Sequence, residues 1–189
     1  SSRRDSQSAK VARYLQQRVI ELGYCAAQQC SLIDLGMKPL PLWPAEDSGP
    51  WPEYQQQLSA ADALVVIAPE WNGMACPAIK NFFIYASKTE LAHKPGLLVG
   101  VSSGVGGAYP ISELRASSYK NCRLCYLPEH LIVRHVEQRH DRACPSGSAT
   151  AVATPRRVRR PFGPHTAQPI GPAGADQADR PAANVGRQT

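Results

Sequence analysis

Three short stretches of the chain hold side chains and backbone suited to binding one ligand. Ser1-Ser2-Arg3-Arg4-Asp5-Ser6-Gln7-Ser8 runs into a helix that starts near Ser6. Hydroxyls, free backbone N–H groups and the positive end of a helix dipole converge there, a combination that binds phosphate. Arg3 or Arg4 adds a charged fork that can hold an anion through two hydrogen bonds. The second stretch is Pro69-Glu70-Trp71-Asn72-Gly73-Met74-Ala75-Cys76-Pro77. Asn72 offers donors and acceptors to a planar heteroaromatic ring. Gly73 lets backbone N–H groups approach that ring, and Trp71 shields it from water. The third is Ser102-Ser103-Gly104-Val105-Gly106-Gly107-Ala108-Tyr109, a glycine-rich loop whose backbone can come close to a ligand. Each stretch also has a plainer reading: a capped polar terminus, a strand-to-helix turn over a packed aromatic, a flexible loop. Glu70 reads as a structural hydrogen-bond acceptor at a strand end, and no side chain is singled out as a general acid or base.

These stretches need elements to aim them. Ser6 is a plausible N-cap, apolar residues recur at helical spacing from Val11 to Leu22, and Gly23 closes the helix. Ser31–Leu35 reads as a short strand. Five prolines between Gly36 and Pro52 predict a long surface loop, and Glu53–Ala60 a brief helix. Ala63–Ala68 is continuously apolar, which predicts a strand covered on both faces, as in a parallel sheet. Pro77 suits the first turn of the following helix. Gly96–Val101 predicts a second buried strand, Tyr109–Lys120 a helix, and Cys125–Val133 another strand. Strands alternating with helices predict an α/β domain with a mostly parallel sheet. The second and third stretches then fall at the carboxyl edge of that sheet, where such folds bind ligands.

Composition narrows the function classes. The apolar fraction of 43% is ordinary for a globular protein. No apolar run is long enough to cross a bilayer and no signal-like segment opens the chain, so no membrane partner and a cytoplasmic location are expected. The six cysteines lie in apolar contexts and read as free buried thiols, with Cys122-x-x-Cys125 lacking the companions of a zinc site. The net charge of +6 is unevenly placed: 13 Lys/Arg face 12 Asp/Glu through Glu137, and 8 face 3 beyond it. A nucleic-acid partner is therefore not expected for the folded part, and Arg156-Arg157-Val158-Arg159-Arg160 reads as a solvated charge run. Residues 1–137 are expected to form the domain, and the Pro/Ala/Gly/Arg-rich stretch 138–189 to be disordered.

The residues resemble the NADPH-dependent FMN reductases, which include flavin, quinone, azo-dye and chromate reductases. Ser1, Arg3 and Ser6 match that family's GS-x-R-x-x-S phosphate loop, whose first glycine has no counterpart here, and Ser8 stands where many members have Asn. Pro69, Glu70, Asn72, Gly73, Pro77, Lys80 and Asn81 match its P-E-Y-N-G-S-x-P and L-K-N pattern, with Trp71 for Tyr and Met74 for Ser. Ser102, Gly104, Gly106 and Gly107 are similar to its S-x-G-x-x-G-G loop, one residue shorter, and Tyr126-Leu127-Pro128-Glu129 to its late strand. The resemblance covers Ser1 to about Val136. It implies a flavodoxin-like, doubly wound parallel sheet, here without its first strand and last helix. It also implies bound FMN, NADPH or NADH as co-substrate, and hydride transfer to the flavin, then to a flavin, quinone or similar small-molecule acceptor. Ser1, Arg3, Ser6, Gln7 and Ser8 would hold the phosphate. Pro69, Glu70, Trp71, Asn72 and Gly73 would line the ring, and Ser102, Gly104 and Gly106 would close the site, in a homodimer. The competing readings are an FMN-carrying electron-transfer protein and an inactive, truncated family member.

Overall fold

The first helix, α1 (Gln7–Glu21), begins where the sequence predicts. Ser6 keeps an extended backbone and its Oγ accepts from the Ala9 N–H at 3.1 Å, satisfying one of the free donors of the first turn. The helix ends in a Schellman arrangement: Gly23, at φ 74°, donates to Ile20 and Tyr24 donates to Val19. A computed structural model describes this and the rest of residues 1–140. The expected tail lies outside the described residues, except that a short terminal helix runs past its expected start at Gln138 (α6, defined below).

Four strands follow α2 (Trp51–Ala60): β1 (Leu64–Trp71), β2 (Met74–Ala75), β3 (Pro95–Val101) and β4 (Cys125–Val133). Between them lie α3 (Pro77–Tyr85), α4 (Lys88–Leu91) and α5 (Ala108–Ser117), and α6 (Val136–His140) follows β4. The sheet order is β2-β1-β3-β4, with β1, β3 and β4 parallel and β2 antiparallel to the end of β1. Side chains alternate across the sheet. Val66, Ala68 and Leu98 face a core built with α2, α3, α4 and α5, while Ile67, Val99 and Val101 face Val11 and Leu15 of α1 and Val136 of α6. Helices thus cover both faces, as in the flavodoxin-like, doubly wound architecture. No helix of the described residues is long and apolar enough to cross a membrane.

Within β4 the register slips: Gly96 pairs with Tyr126, yet Leu98 pairs with His130. The extra residues include Pro128, which cannot donate to a ladder. Their carbonyls are gathered by Arg115 of α5, whose Nη2 donates to Leu127 at 2.6 Å and Pro128 at 3.0 Å.

Some expectations fail. Ser31–Leu35 is not a strand. Among the described residues nothing pairs with it, nor with the outer edge of β1 over Leu64–Pro69. Between the two runs lies an open slot of about 180 Å³, walled by Ser8, Leu32, Leu35, Val65, Val66 and Phe82 among others. Val65 is consequently 47% exposed, so the cover that the apolar run suggests is incomplete at the start of β1. The cysteines also divide: Cys76 and Cys122 are buried, Cys25 and Cys30 half-buried, Cys125 exposed. Burial pushes the Cys122 thiol above its ordinary value, and it donates to the Ser118 carbonyl at 3.0 Å. It is a packed thiol, poorly suited to act with the exposed Cys125.

Candidate functional site

The end of β1 turns differently from the strand-to-helix turn expected. Asn72 and Gly73 have φ of 49° and 70°, and Trp71 pairs with Met74 across them. Positive φ at both central residues marks a type I′ hairpin, for which Asn-Gly is the preferred pair. A Cβ at Gly73 would meet nothing within 4 Å. The glycine is therefore required by backbone conformation and not by close approach of another group. The hairpin's return strand is fastened by Glu113 of α5, whose carboxylate accepts from the Ala75 N–H at 2.6 Å and pairs with Lys80 of α3. Burial raises the Glu113 pKa, but the Lys80 hydrogen bond, the Ala75 N–H and the Lys80 charge together hold it below the ordinary 4.5. Asn81, 7% exposed, accepts from the Trp43 N–H at 3.0 Å and donates to the Pro41 carbonyl at 2.8 Å, pinning the proline-rich loop to α3.

The amino-terminal loop folds over the same edge. Asp5 at φ 49° turns the chain into α1, and the loop rests on Gly36, where a Cβ would stand 2.7 Å from the Arg3 carbonyl carbon. The Arg3 guanidinium lies 4.7 Å from the centroid of the Trp71 ring, a cation–π contact joining the two stretches. Ser1, Arg3, Ser6, Gln7, Ser8, Pro69, Glu70, Trp71 and Asn72 all line one open cleft of about 150 Å³ at the carboxyl ends of β1 and β3. The slot beside β1 is larger and shares Ser1, Ser6 and Ser8 with the cleft, but only the cleft adds Arg3, Glu70, Trp71 and Asn72.

Within the cleft two polar atoms stand out. Gln7 Oε1 and Ser8 Oγ are buried and have no hydrogen-bond partner. Buried polar atoms are nearly always paired; at the N-terminus of this 15-residue helix the Ser8 hydroxyl can donate to a ligand anion, whereas the Gln7 Oε1 can only accept. With Trp71 and Asn72 beside them, the donor set suits a phosphate-bearing aromatic ligand such as FMN.

The third stretch contributes differently from expectation. Ser102, Gly104, Gly106 and Gly73 are not on the cleft wall; Val101, Ser103, Val136 and Glu137 are. Ser102 is taken up in structure: its N–H donates to Val133 at 2.9 Å, its carbonyl accepts from Val136, and its Oγ accepts from Gly104 at 3.2 Å. The Gly104 carbonyl accepts from His135 at 3.0 Å. Gly106 lies against Glu70, where a Cβ would stand 2.9 Å from the carboxyl carbon. Val136 and Glu137 sit where the sequence pattern breaks, so nothing in the local residues announced them. Val101 and Ser103 follow from topology alone, as the end of the strand beside β1.

Comparison with known proteins agrees with this geometry. The family model described as NADPH-dependent FMN reductase matches residues 1–138. The chain is 35% identical over 91 residues to an NADPH azoreductase of Bacillus sp. (strain OY1-2), covering 46% of this chain and 51% of that protein. It is 32% identical over 119 residues to a 2-hydroxy-1,4-benzoquinone reductase of Burkholderia sp, covering 58% and 63%. The chain thus spans between half and two thirds of the length of these relatives. A solved structure of an NADH:FMN oxidoreductase in its apo form superposes with a TM-score of 0.52 at 18% identity, covering 71% of this chain and 72% of that one, a likeness of fold. The matched span, residues 1–138, takes in every wall of the cleft, and the chain belongs to the NADPH-dependent FMN reductase family.

Proposed function

We propose that the chain is an NAD(P)H-dependent FMN oxidoreductase that passes electrons to a small acceptor of the quinone, azo or flavin class. The observation that carries this reading is the meeting, in one cleft, of the unpaired Ser8 hydroxyl and the α1 N-terminus with Trp71 and Asn72. When bound, FMN supplies the hydride and electron chemistry. The protein's own part is to bind and orient. The α1 N-terminus, the Ser1 and Ser8 hydroxyls and the Gln7 side-chain amide N–H hold the phosphate, and Ser6 fixes the first turn by accepting from the Ala9 N–H. Trp71 and Asn72 border the ring, and Arg3, stacked on Trp71, holds a positive charge at the mouth of the cleft. The names of the azoreductase and benzoquinone reductase relatives support the acceptor class. The test is reconstitution. FMN fluorescence should be quenched on titration with the purified chain, and NADPH should bleach the bound flavin's visible absorption without any protein partner. Binding without bleaching would favour an electron carrier, and no binding would sink the reading.

A further inference from the structure

Glu70 lines the cleft beside two groups proposed to border a ring, yet its hydrogen bond points away from ligand and into the next loop. Its Oε2 accepts from the Gly107 N–H at 2.5 Å. The adjoining Gly106 has no side chain, and its α-carbon lies so close that a Cβ would sit 2.9 Å from the Glu70 carboxyl carbon. Gly107 itself stands at φ 104°, a conformation that favours glycine, and serves as the N-cap of α5. That cap has no side-chain oxygen to satisfy the first turn, so the loop is held by what surrounds it. Arg134 of the β4–α6 connection donates to the Gly106 carbonyl at 3.1 Å. Gly107 packs on the Gly100 backbone: a Cβ at Gly100 would stand 3.0 Å from the Gly107 carbonyl carbon. The loop is therefore gripped from β1, β3 and the β4–α6 connection, and the grip from β1 is the Glu70 carboxylate.

We propose that Glu70 is a positioning residue whose carboxylate locks the glycine loop 102–107 to the end of β1, so that the two loops of the cleft are held in one fixed spacing. The inference rests on the functional reading above only for what that spacing serves, namely the fit around the flavin ring. It explains why Gly106 and Gly107 are both glycine although neither lines the cleft. The first must admit the carboxylate, and the second must present its N–H to it from an unusual backbone angle. It also separates two roles for Glu70. Proton transfer needs an ionisable group, whereas the latch needs only an oxygen acceptor at that place, which glutamine keeps.

The experiment uses the full chain with Glu70→Gln and Glu70→Ala. Amide hydrogen exchange is read by NMR without FMN, and FMN affinity by fluorescence titration. In Glu70→Ala the Gly107 amide should exchange at least about tenfold faster, since a hydrogen bond to a charged acceptor is lost, and FMN affinity should fall in parallel. In Glu70→Gln both should stay within about threefold of the parent, the amide oxygen being a weaker but sufficient acceptor. If Gly107 exchange is unchanged in Glu70→Ala, or Glu70→Gln behaves as Glu70→Ala, the latch is overturned. A parent chain that binds no FMN would refute the functional reading, and the exchange data would still decide the latch.

Discussion

Ser8 is 5% exposed, and its hydroxyl has no partner in the folded chain. An unpaired buried hydroxyl costs stability on the order of 1–3 kcal/mol. Ser8→Ala should therefore raise the thermal midpoint slightly while weakening FMN binding by about tenfold, the worth of one hydrogen bond to a charged ligand. Calorimetry and fluorescence titration on the same sample check both, and a fall in midpoint would show that the hydroxyl has a structural partner. Gly73 gives the opposite pattern. Its φ of 70° is set by the hairpin with open space around it, so Gly73→Ala should cost about 1–2 kcal/mol of stability through backbone strain alone, measured by chemical denaturation. These contrasts show which residues could be read from the sequence. The amino-terminal stretch was legible as one wall of the cleft because a helix N-terminus is built from consecutive residues. Ser102 and Gly104 stand off the cleft wall, a placement the local residues do not show because their partners, Val133, His135 and Val136, lie about thirty positions away along the chain. Asn72-Gly73 carried a hairpin signal of its own, which the ring-binding interpretation of Asn72 obscured.

At the level of elements, α5 is joined to the β1–β2 hairpin by Glu113, which reaches both the Ala75 N–H and Lys80. Its carboxyl is held below 4.5 in the fold. The unfolded chain takes up that proton first as pH falls, so the stabilisation is present above the ordinary carboxylate value and is lost as pH drops through the lowered one. Glu113→Gln should lower stability near neutrality and converge with the parent once the carboxyl is protonated, leaving a flatter acid side to the stability profile below about pH 5. Urea melts across that range test it, and an unchanged acid limb would exclude the linkage. Helices and central strands were legible because their caps and apolar periods are local: Ser6 and Gly23 bracket α1, and Pro77 opens α3. Ser31–Leu35 was not, because strand propensity describes a fit to neighbours, and here no described strand lies beside it. The hairpin partner β2, two residues long, and the short α4 offer too few positions for any period to register.

Across the whole molecule, the cleft draws on residues from Ser1 to Glu137, and the family match ends at residue 138. A chain ending at His140 should bind FMN as tightly as the full one, within about twofold, while losing most of its net positive charge. Equilibrium titration would refute this if affinity fell tenfold. The open slot beside β1 has a consequence for how that strand breathes. Along a strand, successive backbone amides point to opposite edges. One set in β1 is tied to β3, and the other faces the slot with no ladder to join. Solvent should therefore write a two-residue beat of fast and slow deuteration along Leu64–Pro69, visible by NMR in a strand that otherwise belongs to the core.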